Sequence, residues 1–145
     1  MTGPIVTRLH AGDLNELAGT LSAAKLPISD LEEPDRAFFR FADNAGLIGF
    51  AGIEGNEADR LLRSLVIAAD RRGTGLGRPV LALLENTARV MGVQRLHLLT
   101  TTAAPFFRGC GYVDADRATA PASIAASREF TALCPASAAY LEKAL

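Results

Sequence analysis

A chain of 145 residues with 49% hydrophobic content is long enough for one well-buried core and too short for two ordinary domains, so residues 1–145 are expected to form a single domain. Fifteen basic against 16 acidic residues leave a net charge of −1, with no basic run longer than Arg71-Arg72, which argues against a nucleic-acid or membrane surface. The two cysteines, Cys110 and Cys134, and the two histidines, His10 and His97, lack metal-ligand spacing; no metal site or disulfide framework is expected, and the absence of a leader-like or ~18-residue apolar stretch points to a reducing, cytoplasmic setting.

Residues 5–9 are short and β-branched, a strand signal. Asp13 and Glu16 form a capping-box-like pair, and Leu14, Leu17, Ala18, Leu21 and Ala24 fall on one helical face, so a helix is expected to start there and stop at Pro27. The acidic, proline-broken segment 29–35 reads as loop. Three strand-like runs follow, 37–42, 47–54 and 61–68, separated by the turn-forming strings Asp43-Asn44-Ala45-Gly46 and Gly55-Asn56-Glu57, as in an antiparallel meander. A helical pattern over 75–91 ends at Gly92; Pro79 in its first turn removes only an N–H that has no helical partner. Residues 93–100 read as a strand, which implies a right-handed crossover and one parallel pair. A short helix over 103–108 follows. Further on, 121–127 reads as a short helix, while 136–145 is compatible with strand or helix.

The most informative segment runs from Leu65 to Arg78, LVIAADRRGTGLGR. It reads as an apolar strand, an arginine-flanked glycine turn and a helix start, and a helix start offers unpaired N–H groups and partial positive charge to an anion. Gly73, Gly75 and Gly77 permit positive φ and close backbone approach. No lysine follows a glycine as a Walker loop requires. A G-x-G-x-x-G fingerprint would need glycine where Arg78 and Val80 stand. What remains is Arg72-x-x-Gly75-x-Gly77 after the strand Leu65-x-Ile67. This resembles the acetyl-CoA motif of the GNAT N-acetyltransferase superfamily, R/Q-x-x-G-x-G/A, and the resemblance extends through the element order to the Phe106–Tyr112 string FFRGCGY. Leu26-Pro27-x-x-Asp30-Leu31, the string LLRSL from Leu61, LLTTT from Leu98 and Glu129-Phe130-x-x-Leu133-Cys134-Pro135 look like the branch of that superfamily associated with arsenic resistance.

The resemblance implies a mixed α/β GNAT fold with a mostly antiparallel sheet flanked by helices, and an enzyme that uses acetyl-CoA and no metal. It places the pyrophosphate on Arg72, Gly73, Thr74, Gly75, Leu76, Gly77 and Arg78, with Arg71, Arg72 or Arg78 adding charge. The pantetheine arm and acetyl carbonyl fall to the backbone of Leu65, Val66 and Ile67. The family's thiolate-protonating tyrosine falls at Phe107, so protonation must come from water or another group; Tyr112 and Tyr140 are core or surface residues unless folding brings one near. The family's asparagine after the fifth strand is also absent, with Thr100, Thr101 and Thr102 in that region.

For the acceptor, the residues themselves offer candidates. Glu54, at a strand end, could serve as base directly or through water, or be a surface charge; Glu57 and Asp59 beside it suit a solvated turn. Arg63 and Ser64 should face opposite sides of their strand, one toward substrate. An arginine there favours a carboxylate, phosphinate or arsonate by bidentate hydrogen bonds, or else simply pairs with an acidic neighbour. Arg128 and Glu129, in the tail motif shared with the arsenic-resistance branch, could line the acceptor pocket or form a surface ion pair, and Cys134 reads as a small buried residue. The partner is expected to be a small-molecule amine, with no nucleic acid or membrane; a homodimer stays open. Rival readings are a non-catalytic acyl-CoA-binding module and a protein N-acetyltransferase.

Overall fold

The computed structural model describes residues 3–26, 28–29, 31–133 and 137–145. Strands β1 (Ile5–Arg8), β2 (Arg36–Asp43), β3 (Gly46–Glu54), β4 (Asp59–Ile67), β5 (Arg95–Thr100), β6 (Val113–Asp114) and β7 (Ala139–Ala144) form a seven-stranded sheet in the order β1-β2-β3-β4-β5-β7-β6. Among the described residues only β4 and β5 pair in parallel. Helices α1 (Leu14–Ala23), α2 (Gly77–Val90), α3 (Ala104–Gly109) and α4 (Ala122–Ala125) complete the mixed α/β architecture. The segment compatible with strand or helix contains strand β7, inserted between β5 and the two-residue β6.

Two apolar layers sandwich the sheet. On one face Val80, Leu81, Leu84 and Ala88 of α2 pack with Phe39, Phe41, Ile53, Leu96 and Leu98. On the other, Leu17 and Leu21 of α1 pack with Phe38, Phe50 and Val66. Each fully buried leucine or phenylalanine contributes roughly 1.5–3 kcal/mol over its exposed state. Neighbouring Phe38 and Phe39 serve opposite faces, the alternation a strand buried on both sides requires.

The start of α1 differs from the sequence expectation. A 3-10 turn over Ala11–Asp13 precedes the helix, and the Asp13 carboxylate reaches back to the His10 N–H at 3.0 Å rather than capping α1. Glu16 instead accepts from Arg40 of β2 at 3.0 Å. The helix ends at Ala23, with Lys25 at φ 59°; Pro27, the expected stop, lies outside the described residues, as do Asp30, Cys134 and Pro135 of the branch motifs. At the other helix, Gly92 at φ 90° terminates α2 as the pattern predicts.

Below the point where β4 and β5 part, a polar chain ties three strands together. His97 on β5 is fully buried; its Nε2 donates to Asp59 Oδ1 on β4 at 2.7 Å, and its Nδ1 lies 2.7 Å from the Tyr140 hydroxyl on β7. An imidazole protonated at Nε2 satisfies both partners, with the tyrosine donating. Desolvation, helped by Glu142 and Asp59, pushes the Tyr140 phenol up to about 12. On the opposite face the Tyr112 hydroxyl donates to Glu85 of α2 at 2.9 Å, and Lys143 of β7 donates to the same carboxylate at 3.1 Å. Both tyrosines are therefore buried structural donors.

The decisive irregularity lies in β4. Its register against β3 moves from Phe50↔Val66 to Gly52↔Arg63, so β4 carries one extra residue there, with Ser64 at φ 59°. The bulge turns Leu65 and Ile67 toward the α2 side and Val66 toward the α1 side. It also presses the β4 backbone onto β3: a Cβ on Gly49 would stand 2.1 Å from the Val66 carbonyl oxygen. Gly49→Ala is expected to destabilise the protein by about 3 kcal/mol, since backbone must move to admit the methyl; urea denaturation measures it, and a change under 0.5 kcal/mol would contradict the close approach.

Candidate active site

Strands β4 and β5 pair only over Asp59–Leu61 against Arg95–His97. Beyond that they diverge, because β4 bends at the Ser64 bulge while β5 stays paired with β7 up to Thr100. A cavity of about 380 Å³ fills the resulting V, with residues 64–67 on one wall and 98–100 on the other. A second cavity of about 350 Å³ lies between the glycine turn and Phe106 of α3. The two share Leu65, Ile67, Arg72, Ala103 and Phe107, so one path leads from the glycine turn into the V. Its far end reaches Ala24 and Leu26 beside α1. A strand that leaves its neighbour exposes peptide groups that need partners, which an extended amide-bearing ligand supplies.

The glycine turn is shaped for a phosphate-bearing group. Gly73 and Gly75 hold φ of 75° and 77°, where other residues are strained, and a Cβ on Gly77 would come within 3.1 Å of the Phe106 ring. The first turn of α2 opens with the Val80 N–H bonded to Leu76 O at 3.2 Å, leaving the N–H groups before it to other acceptors. The Thr74 hydroxyl donates to Arg71 O at 2.6 Å and pins the loop.

The three arginines here divide their work. Arg71 makes a bidentate pair with Asp43 at 2.9 and 2.7 Å, tying the turn to the β2–β3 hairpin. Its guanidinium holds the Asp43 carboxyl below the usual aspartate range. Arg72 Nε donates to Ile67 O at 2.9 Å and lines both cavities. Arg78 reaches from α2 to Gly109 O of α3 at 3.1 Å. Arg72 thus lines both cavities, while Arg71, which lines the second, is also a strut to the β2–β3 hairpin.

The predicted acceptor residues meet in one buried charge cluster on the α1 face. Arg63, with a side chain 1% exposed, donates from Nη1 to Glu54 Oε1 at 3.1 Å and lies 5.8 Å from the centre of the Phe38 ring. Arg36 also approaches Glu54 Oε1, at 3.6 Å. Glu54 is therefore a buried, doubly paired carboxylate rather than one at a cleft mouth. Ser64 departs from simple alternation: within the bulge its hydroxyl accepts from Arg63 Nε at 3.2 Å, and both residues line the V. Asp59 is bound to His97. Thr100 Oγ1 accepts from the Ala103 N–H at 3.0 Å, and Thr100 and Thr102 line the cavity. Phe107 is buried, packs edge-on against Phe106 and Tyr112, and lines both cavities.

The tail contributes a further member, from the pair read either as pocket residues or as a surface ion pair. Arg128 and Glu129 do not pair with each other as a surface couple; Arg128 pairs with Glu33, and the buried Glu129 lies 3.4 Å from Arg63 Nε. Among the described residues no cluster of His, Cys, Asp or Glu suits a metal, and no helix is long and apolar enough to cross a membrane.

The splayed parallel pair leading into a glycine turn at a helix start is the architecture of acyl-CoA-dependent transferases. The model of the acetyltransferase (GNAT) domain matches residues 34–114, so the chain belongs to the GNAT acetyltransferase family, whose members use acetyl-CoA and no metal. Among solved structures, N-acetylglutamate synthase from Neisseria gonorrhoeae, complexed with coenzyme A and N-acetyl-glutamate, superposes with TM-score 0.79 at 20% identity, covering 100% of this chain. The match spans 36% of the synthase, so the present chain corresponds to about a third of it. Rv2747 from Mycobacterium tuberculosis, in complex with CoA, gives 0.75 at 17% identity over 97% of this chain and 99% of that one. A spermidine N-acetyltransferase variant from Vibrio cholerae gives 0.64 at 14%, over 78% and 81%. No match is found among curated protein sequences. At such identities the superpositions speak for the fold.

Two outcomes follow. Arg72→Ala is expected to weaken acetyl-CoA binding by about tenfold, the loss of one charge-assisted hydrogen bond, measured calorimetrically; unchanged affinity would exclude Arg72 from the donor site. Asp43→Asn is expected to lower the melting temperature at pH 7. Because the Asp43 carboxyl is depressed in the fold, its contribution is present above the unfolded value of about 3.9 and vanishes as pH falls further. A difference between the melting curves that does not shrink as pH falls below about 3.9 would contradict this.

Proposed function

We propose that the chain transfers acetyl from acetyl-CoA to the primary amine of a small amino-acid-like acceptor by direct attack within a ternary complex. The observation that carries this reading is the V between β4 and β5, continuous with the glycine turn at one end and with the Arg63 cluster at the other. The N–H groups of residues 72–78 would hold the pyrophosphate, and the β4 backbone at Leu65, Val66 and Ile67 would align the pantetheine and polarise the acetyl carbonyl.

With the phenylalanine at 107, the departing thiolate takes its proton from water or from the hydroxyls of Ser64, Thr100 or Thr102. Glu54 works through Arg63: tied to two guanidiniums, it orients the acceptor end of the site. The resemblance to the arsenic-resistance branch makes an anionic amino-acid analogue, such as an arsenical or phosphinic acid, the acceptor to test first. Phe107 also supports a second reading, an acyl-CoA-binding module without turnover.

A thiol-release assay over amino acids, their arsenical and phosphinic analogues, polyamines and peptide N-termini tests the proposal. Turnover with intersecting initial-rate lines and no acetylated protein by mass spectrometry is expected. Binding without turnover on any amine would favour the second reading, and no binding at millimolar acetyl-CoA would sink both. Glu54→Gln is expected to raise the acceptor KM while leaving the pH–rate profile in place; loss of the acidic limb of that profile would instead make Glu54 the base.

A further inference from the structure

The tail after β6 supplies one of the charges in the acceptor cluster, and it does so from outside the sheet. Arg63 is buried to 1% side-chain exposure, and a guanidinium so placed needs carboxylate partners. One of them, Glu54, is built into the neighbouring strand β3 and is shared with Arg36. Another, Glu129, belongs to a π-helical turn over Glu129–Leu133 and stands 3.4 Å from Arg63 Nε, the same nitrogen that donates to Ser64. The residue before it, Arg128, pairs with Glu33 in the segment between α1 and β2. Two consecutive residues of opposite charge thus strap the tail to two walls, the exposed pair on the loop and the buried pair on β4.

A guanidinium buried this deeply needs an anion against it, so a group that displaces Glu129 from Arg63 must bring one. An acceptor carboxylate does so, whereas a neutral or cationic amine would take a carboxylate from Arg63 without replacing it.

We propose that Glu129 occupies, in the acceptor-free protein, the position on Arg63 that the acceptor's carboxylate takes, and thereby selects amines that carry a free carboxylate or an equivalent oxyanion. The inference rests on the reading of the cleft as an acetyl-acceptor site. Glu129 is then a specificity residue that acts by competition, and Arg63 changes carboxylates without changing its charge state.

The test compares wild type with Glu129→Gln, both saturated with CoA, titrated with free amino acids and with the corresponding α-amides and followed by calorimetry. For wild type the amides are expected to bind at least about tenfold more weakly than the free acids. In Glu129→Gln the free acids should bind roughly three- to tenfold more tightly, with the amides unchanged. Acids and amides that bind alike or not at all, or a variant that binds the acids no better than wild type, would overturn the proposal. Should Glu129→Gln lose its near-UV circular dichroism, Arg128→Gln, which unties only the exposed pair, is expected to tighten acid binding by a smaller factor, and no tightening there would also overturn it. Acetyl-CoA binding and thiol release on the same samples separate this outcome from failure of the acetyltransferase reading, which would abolish those signals irrespective of Glu129.

Discussion

The whole arrangement depends on one bulge. With a single extra residue at Ser64, β4 stays bonded to β3 on one side while it swings away from β5 on the other. That divergence opens the cavity, leaves residues 65–67 without β5 as a pairing partner, and aims the end of the strand at the glycine turn. The cost is a serine in the left-handed region and a main-chain approach only glycine tolerates at position 49. These costs are compensated nearby. The His97 chain fastens β4, β5 and β7 below the split, and the Arg71–Asp43 pair fastens the turn above it. The V is therefore a clamped gap rather than a loose one.

On the proposed reading, donor and acceptor are held by different physical means. The donor end would work through the main chain, with positive-φ glycines, a helix start and a strand edge that β5 leaves, so the side chains of Leu65, Val66 and Ile67 are free to build the core. The acceptor end would work through side-chain charge, with Arg63 seated over Phe38 and the carboxylates of Glu54 and Glu129 against it. Backbone recognition suits a donor common to a large family, and a charge cluster can be retuned by single substitutions.

This division explains what was legible in the sequence. The glycine turn, the meander, the α2 periodicity with its Gly92 stop and the order of elements are local patterns, and each lies where the sequence places it within a few residues. The bulge has no local signature: the string LLRSL reads as plain alternation, and only pairing with β3 shows the extra residue. For that reason the expected opposition of Arg63 and Ser64 became a hydrogen bond between them. Glu54 was visible as a strand-end acid, but its burial depends on Arg36 and Arg63 arriving from neighbouring strands. Glu129 joins Arg63 across 66 positions of chain (129 − 63), a contact no periodicity encodes.

The central claim is that the splayed half of β4 and the glycine turn together hold acetyl-CoA. Amide hydrogen exchange with and without acetyl-CoA tests it most directly. Slowed exchange is predicted at residues 72–78 and at those of 65–67 whose N–H groups face away from β3, because Val66 is already paired with Phe50 while the edge left by β5 gains acceptors when the donor is bound. Unchanged exchange at 65–67 under saturating acetyl-CoA, or protection confined to another part of the sheet, would contradict the account.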